Sequence, residues 1–195
     1  FDEETGQNPP SQKGLVRKEV AGLFMQKIEE NKIQGLIARA PDFFGPKSYN
    51  SVLYPSFLQQ MLKGKNPMTL SNMHQPHTFS YTPDIATTMI ELASNEDCYG
   101  QIWHTPVLPA KTLEEYASQF NKELHTNLKL SRMPRAMMQL LKWFVPILKE
   151  VEEMNYQFEH PYHMNDEKFK KRFPSFPVTS WEKAVAEFVK SFTNG

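Results

Sequence analysis

The sequence predicts an α/β fold with a mostly parallel sheet, and three observations indicate it. Apolar residues recur at helical spacing over about 12–31, and the continuous apolar run Gly35-Leu36-Ile37-Ala38 that follows is typical of a buried strand. A second strand pattern at His77–Tyr81 leads directly into a helical pattern that opens at Pro83. Strands that alternate with helices are the pattern of βαβ units, whose strands are parallel.

The remaining elements follow from local start and stop signals. Ser11 is a good N-cap for the first helix, and Thr112-Leu113-Glu114-Glu115 fits a capping box that begins another. Gly45-Pro46 predicts a loop over 41–50. The other predicted segments are helices at 52–62, 83–93, 134–158 (with a break at Pro146) and 180–192, and strands at 67–70, 77–81, 101–104 and 128–130.

Composition excludes several classes of function. The formal net charge is zero and the pI is near 7.2, so there is no electrostatic reason to expect nucleic acid. Cys98 is the only cysteine, which excludes an internal disulfide and favours a reducing, cytoplasmic compartment. The most apolar stretch, 136–148, contains Lys142 and Pro146 and is too short to span a bilayer, so no membrane partner is expected.

Three motifs occur in order along the first half of the chain. Asn8–Arg17 is a proline-flanked helix start, Ala38–Pro46 contains Arg39 followed by Gly45-Pro46, and His77–Ala86 runs from a strand into a helix. Together they resemble the active-site helix, the substrate loop and the following strand of the extended short-chain dehydrogenase/reductase family, which includes the NAD-dependent epimerases and dehydratases. Gly100–His104 resembles the next strand of that family.

The resemblance implies the latter half of a Rossmann-type sheet joined to a mainly helical substrate-binding region. The expected division is a Rossmann-type core with substrate loops at 1–110 and a helical region at 111–195. An amino-terminal cofactor-binding segment is then expected before Phe1. NAD or NADP in the full-length protein and a small-molecule substrate are the implied ligands.

Two departures from the family pattern bear on activity. No glycines have the Gly-x-x-Gly-x-x-Gly spacing of a phosphate loop, so this chain alone is not expected to hold a dinucleotide tightly. The family's Tyr-x-x-x-Lys pair is also not intact, because no tyrosine precedes Tyr49 and none has lysine four residues later. Lys13 remains as a candidate catalytic residue, although it also fits a solvated helix start.

The resemblance also assigns binding residues. They are Arg39, Asp42, Phe44 and His77 on the substrate side, and Pro41, Asp42 and Phe43 on the cofactor side. His77 stands where the family often has an arginine that grips a sugar-nucleotide phosphate, and a neutral imidazole is a poor substitute for that fork. A nucleotide-diphosphate sugar is therefore disfavoured. Arg39 and Asp42 also fit a structural ion pair or loop cap, and His77 fits strand-face packing.

His160 and His163, with Asp166 nearby, have a spacing that by itself predicts no metal site, and Pro161 argues against a helical pair. Cys98 has no nearby histidine to activate it as a nucleophile.

The leading interpretation is the substrate-binding carboxy-terminal portion of an NAD(P)-dependent epimerase/dehydratase-like oxidoreductase. In it, the three motifs form walls of one cleft. The alternative is a non-catalytic ligand-sensing or oligomerisation module derived from that fold, so enzymatic activity stays open. The apolar stripe from Met137 to Met154 fits a core, a lid or the face of a homodimer.

Overall fold

The computed structural model describes residues 1–134 and 155–193. The chain forms two compact units, each built from three separate stretches of sequence. Unit 1 comprises Phe1–Pro41, Pro83–Val107 and Met164–Val178, and unit 2 comprises Asp42–Thr82, Leu108–His163 and Thr179–Gly195.

Short strands and mostly longer helices alternate along the chain. The helices are α1 (Gln12–Glu29), α2 (Gln59–Leu62), α3 (Thr82–Ala93), α4 (Leu113–Leu124), α5 (Glu167–Arg172) and α6 (Trp181–Thr193). The strands are β1 (Ile37–Arg39), β2 (Asp42–Phe44), β3 (Met68–Thr69), β4 (Phe79–Tyr81), β5 (Ile102–His104) and β6 (Ser131–Arg132). A π-helical turn at Tyr54–Leu58 runs into α2, and 3₁₀ turns lie at Glu96–Cys98 and Asn155–Phe158.

Every strand pair in the described residues is parallel, which confirms the predicted α/β class. β1 pairs with β5 in unit 1, and β2 pairs with β4 and β3 with β6 in unit 2. The described strands thus form three short pairs, whereas the sequence predicts one mostly parallel sheet.

Unit 1 has a small core around β5. Leu92, Cys98, Trp103 and Phe169 are buried there, and Trp103 Nε1 donates a hydrogen bond of 3.0 Å to the Cys98 carbonyl. Burial raises the pKa of the Cys98 thiol, which keeps it protonated at neutral pH. Cys98 is therefore a core residue rather than a nucleophile.

Unit 2 has the larger, aromatic core. α4 and α6 pack together, and both turn apolar faces toward β2 and β4. The fully buried large side chains of this core are Phe44, Leu53, Phe57, Leu58, Met61, Phe79, Tyr81, Tyr116, Phe120 and Phe188.

Both predicted helix caps are present. Ser11 Oγ accepts a hydrogen bond of 3.1 Å from the Gly14 amide at the start of α1. At the start of α4, Thr112 Oγ1 accepts from the Glu115 amide, and the Glu115 carboxylate accepts from the Thr112 amide. These bonds satisfy amide groups that a helix start leaves unpaired, so the local sequence alone specifies both boundaries.

The loop predicted over 41–50 is wrong in its first part. Asp42–Phe44 forms β2, and Phe44 is fully buried against Phe79, Tyr116 and Phe188. Those partners are distant in sequence, so tertiary packing stabilises a strand that no local pattern indicates.

The strand predicted at 128–130 is also wrong, since β6 lies just beyond it. The Asn121 side chain both accepts from the Leu128 amide and donates to the Leu128 carbonyl, each at 2.8 Å. Those two bonds occupy the backbone groups of Leu128 that a neighbouring strand would otherwise pair with.

The predicted strand at 77–81 does not alternate, because Phe79, Ser80 and Tyr81 are all buried. The stripe from Met137 to Met154 lies outside the described residues. Of the helix predicted over 134–158, the described part is the 3₁₀ turn at its end. No helix among the described residues is long and apolar enough to cross a membrane.

Candidate functional site

Asp42 and His77 were both singled out from the sequence, and they meet in unit 2. His77 Nε2 lies 2.9 Å from Asp42 Oδ2. Asp42 opens β2 and His77 lies just before β4, so the parallel pairing of these strands brings the two residues to one edge. The side chain of His77 is 1% exposed and that of Asp42 is 33% exposed. The carboxylate therefore reaches solvent, whereas the imidazole does not.

The His77 ring is held between two aromatic rings. The Phe158 ring stacks on it at a centroid distance of 4.2 Å, and the Tyr162 ring at 4.5 Å. The Phe79 ring is tilted against the His77 ring, and their centroids are 4.9 Å apart. Burial, and then the Asp42 charge, raises the pKa of Tyr162 above its ordinary value, so its hydroxyl stays protonated.

Hydrogen bonding assigns the tautomer of His77. Its Nδ1 is buried and has no hydrogen-bond partner among the described residues. A proton on that nitrogen would be an unsatisfied buried donor, which costs about 1–3 kcal/mol. Nε2–H is therefore the donor to Asp42. Gln157 Nε2 donates to the same Asp42 oxygen at 3.0 Å, so the carboxylate is held by two donors.

The backbone on either side holds this cluster in place. The His77 amide donates to the Lys111 carbonyl at 3.0 Å, and the Tyr162 amide donates to the Pro76 carbonyl at 3.0 Å. The Thr78 amide in turn donates to the Tyr162 carbonyl. His77 is thus bridged to two segments that lie far apart in sequence, and its ring has little freedom to move.

The other residues assigned from the resemblance have varied surroundings. Arg39 ends β1 in unit 1 and is half-buried; burial lowers its pKa, while the nearby Glu3 carboxylate opposes that shift. Lys13 lies on α1 and is exposed, and Pro41 is buried. Phe43 is 45% exposed, whereas Phe44 is fully buried in the unit 2 core. Substrate contact by Phe44 stays a prediction, and so does a catalytic role for Lys13.

Unit 1 contains a second buried histidine, His104, at the carboxyl end of β5. His104 is paired in register with Arg39, and its Nδ1 donates to the Asn165 carbonyl at 2.7 Å. The His104 amide donates to Glu3 Oε1 at 2.9 Å. Burial is the main cause that lowers the pKa of His104, although the bond to Asn165 acts in the opposite direction. The carboxyl ends of β1 and β5 thus carry Arg39 and a neutral His104 side by side.

Lowering the pH is expected to destabilise the protein through His104. Because the pKa of His104 in the folded state lies below the unfolded value of about 6.5, the unfolded chain takes up the proton first as the pH falls. The stabilising contribution is complete above that value and is lost as the pH falls toward the folded-state pKa, with a slope of at most about 1.4 kcal/mol per pH unit. Urea denaturation of the wild type and of His104→Gln between about pH 7.5 and 5.5 should give a shallower pH dependence for the variant. Equal slopes would contradict the assignment.

Among residues 1–134 and 155–193, no group of three or more His, Cys, Asp or Glu side chains could hold a metal ion. Asp166, which the sequence placed near His163, accepts a hydrogen bond of 3.0 Å from the Val107 amide and pairs with Lys170 at 2.8 Å.

Sequence reasoning missed three members of the Asp42 cluster. Gln157 and Phe158 fell at the end of a predicted helix, and Tyr162 was considered only as a neighbour of the two histidines. Gln157 bonds to Asp42, which is 115 residues away, and Phe158 and Tyr162 stack on the distant His77, so no local pattern links them. The available sequence signal was the cluster of aromatic residues in 156–162.

The described residues have the fold of the carboxy-terminal region of NAD-dependent epimerases and dehydratases. No protein-family model and no curated protein matches the sequence.

Three solved enzyme structures illustrate the likeness. The dTDP-glucose 4,6-dehydratase of Bacillus anthracis, in complex with NAD, has 16% identity and a TM-score of 0.73 over 100% of this chain and 56% of that chain. The UDP-glucuronic acid 4-epimerase of Bacillus cereus, in complex with NAD, has 14% identity and a TM-score of 0.76 over 100% and 56%. The UDP-N-acetylglucosamine 4-epimerase of Methanobrevibacter ruminantium, in complex with UDP-N-acetylmuramic acid, has 16% identity and a TM-score of 0.75 over 100% and 57%. The chain thus spans a little over half the length of these enzymes, and at such identities the likeness establishes the fold alone.

Proposed function

We propose that this chain is the substrate-binding, carboxy-terminal portion of an NAD(P)-dependent epimerase/dehydratase-like oxidoreductase. The observation that carries the proposal is that the whole chain matches about 56% of the length of each of two enzymes solved with NAD. The Asp42–His77 cluster supports it, because a buried imidazole that orients a partly exposed carboxylate is the kind of polar group that fixes a ligand in a binding site.

Asp42 is the proposed substrate contact. Both of its donors in the described residues bond to Oδ2, so Oδ1 is the oxygen that a substrate can approach. A carboxylate favours a hydroxyl or amine donor on the substrate and repels a phosphate. At about 4 Å that repulsion is about 4 kcal/mol near a protein surface, which exceeds the roughly 1.5–3 kcal/mol of a hydrogen bond to a charged group. We therefore place the substrate among small polyols or amino alcohols rather than nucleotide-diphosphate sugars.

The cofactor is proposed to bind mainly outside this chain. A dinucleotide needs a glycine-rich turn at a helix start for its pyrophosphate, and the glycines of this sequence lack that spacing. Asp42 is an acidic side chain already bonded to His77 and Gln157, so it does not fit a phosphate. Pro41, Asp42 and Phe43 are proposed to border the cofactor without holding it.

Calorimetry tests this division. A longer polypeptide that also contains the expected amino-terminal cofactor-binding segment should bind NAD or NADP with a Kd in the micromolar range, a binding free energy of about −8 kcal/mol. The 195-residue chain should show no binding heat at about 1 mM cofactor. If the longer polypeptide bound neither cofactor, the proposal would be abandoned. Tight binding by the 195-residue chain would show instead that the cofactor contacts lie within it.

A second candidate is a non-catalytic, ligand-sensing descendant of the same fold. The observation that favours it is the missing tyrosine: none of the seven tyrosines is followed by lysine four residues later. Lys13 is then a solvated side chain of α1 rather than a proton donor. Steady turnover of any alcohol or sugar by the longer polypeptide with NAD or NADP would exclude this candidate, and loss of that turnover in Lys13→Met would assign Lys13 a role in it.

A further inference from the structure

Asp42 is a partly exposed carboxylate that no lysine or arginine of the described residues pairs with. Its side chain is 33% exposed, and its one salt-bridge partner in the described part of the chain is the His77 imidazole. Lys111, whose carbonyl holds the His77 amide, directs its own ammonium group elsewhere. Its Nζ lies 2.8 Å from Glu115 Oε1 and 5.2 Å from the centroid of the Trp181 ring. No fixed cation of the described residues therefore balances the charge of Asp42.

The two hydrogen bonds that Asp42 accepts fix its orientation and leave one oxygen open. His77 Nε2 and Gln157 Nε2 both donate to Oδ2, at 2.9 Å and 3.0 Å, and Oδ1 has no hydrogen bond to the residues that the structure describes. The His77 ring is stacked between Phe158 and Tyr162, so it cannot turn away from the carboxylate. The open oxygen is thus held in one direction before a ligand arrives, and binding does not have to order it.

Two tyrosines lie in the neighbourhood of this carboxylate. Burial, then the Asp42 charge and then Tyr156 raise the pKa of Tyr162, so the three polar groups are close enough to act on one another. Tyr156 is 44% exposed, which puts it within reach of a ligand from solvent. A phenol oxygen accepts a hydrogen bond, and the face of a phenol ring attracts a cation. These surroundings favour a positively charged ligand group and do not compete with it.

The charge of Asp42 discriminates between the groups that could bind to it. A ligand that covers the carboxylate removes the water that now solvates its exposed part. A hydroxyl group replaces that water with one hydrogen bond and leaves the charge unbalanced, whereas a protonated amine supplies both a hydrogen bond and the opposite charge. A metal ion fits poorly, because hard cations take several oxygen ligands and no group of three or more His, Cys, Asp or Glu side chains among the described residues could hold one.

We propose that Asp42 selects a substrate with a protonated primary amine, whose ammonium group donates a hydrogen bond to Asp42 Oδ1. The inference rests on the proposed function and narrows its substrate class from polyols and amino alcohols to amino alcohols, including sugar derivatives with a free amine. His77 and Gln157 are positioning residues, since they hold Oδ2 and act on the amine only through the carboxylate. Tyr156 is the proposed neighbour of the ammonium group on the solvent side.

Glucamine and glucitol test the selection, because at neutral pH they differ only by an ammonium group in place of one hydroxyl. Titration of the longer polypeptide, followed by NMR chemical shifts, should give a Kd at least about tenfold lower for glucamine than for glucitol. Asp42→Asn keeps the shape and an acceptor oxygen but removes the charge, so the ratio should fall below about threefold. Glu114→Gln is the matched control, since it removes the same charge from an exposed position that pairs with His74, and should keep the tenfold ratio.

Salt provides a second measurement that needs no variant, so the proposal stays testable even if Asp42→Asn does not fold. Raising NaCl from about 0.1 M to about 1 M shortens the Debye length from about 10 Å to about 3 Å. Glucamine binding should weaken at least about threefold, while glucitol binding stays unchanged. Equal Kd values for the two ligands in the wild type would overturn the proposal. So would a glucamine preference that Asp42→Asn retains, or binding of neither ligand up to about 50 mM.

Failure of the amine site and failure of the proposed function give different results. A longer polypeptide that binds NAD or NADP but does not prefer glucamine keeps the proposed function and refutes the amine site. One that prefers glucamine through Asp42 but binds neither cofactor keeps the amine site and refutes the proposed function.

Discussion

Replacing His77 with alanine is expected to lower the free energy of unfolding by about 3 kcal/mol. The change removes a ring that is stacked between Phe158 and Tyr162 and is only 1% exposed. It also removes one of the two donors to Asp42, so the carboxylate keeps only Gln157. Urea denaturation followed by circular dichroism measures the sum of the two losses.

Two further variants separate the causes. His77→Phe keeps the stacked ring but removes the donor, so its cost is expected to be about 1–2 kcal/mol. His74→Ala is the matched control, because His74 is 64% exposed and pairs with Glu114 on the surface; its effect should stay within about 0.5 kcal/mol. If His77→Ala cost no more than His74→Ala, the stacked cluster would not be the rigid element described above.

The parts of the fold that the sequence predicts are those with local signals. Ser11 and the Thr112–Glu115 capping box mark helix starts through bonds that span only three residues. The boundaries of β2 and β6, in contrast, depend on side-chain contacts that strand patterns do not show. β2 exists because Phe44 packs among rings from other elements, and the Leu128 backbone is taken by Asn121. Neither contact is visible in the alternation of apolar and polar residues.

In the candidate site, too, some residues could be named from the sequence and others could not. Asp42 and His77 could be named individually, because the resemblance to epimerases and dehydratases assigns roles to their positions. Their direct bond could not be predicted, since it joins residues 35 apart in sequence. No local pattern links Gln157 and Tyr162 to Asp42 and His77, and only the folded chain brings them together.

Replacing Phe44 with alanine is the other change with a large expected effect, a loss of about 3–5 kcal/mol in the free energy of unfolding. The Phe44 ring is fully buried, and its centroid lies 5.6 Å from that of Tyr116 and 5.4 Å from that of Phe188. Alanine would leave a cavity that rings anchored on α4 and α6 cannot fill without moving. The resemblance places Phe44 on the substrate side, but its surroundings are those of a core residue.

Phe43→Ala is the matched control for this difference. The two phenylalanines are adjacent, yet Phe43 is 45% exposed, so its removal should change stability by less than about 1 kcal/mol. If Phe44 acts only in the core, Phe44→Ala lowers Tm and leaves the affinity for cofactor and substrate unchanged below the new Tm. A Phe44→Ala protein with nearly wild-type stability and weakened ligand binding would reverse this assignment and make Phe44 a wall of the substrate site.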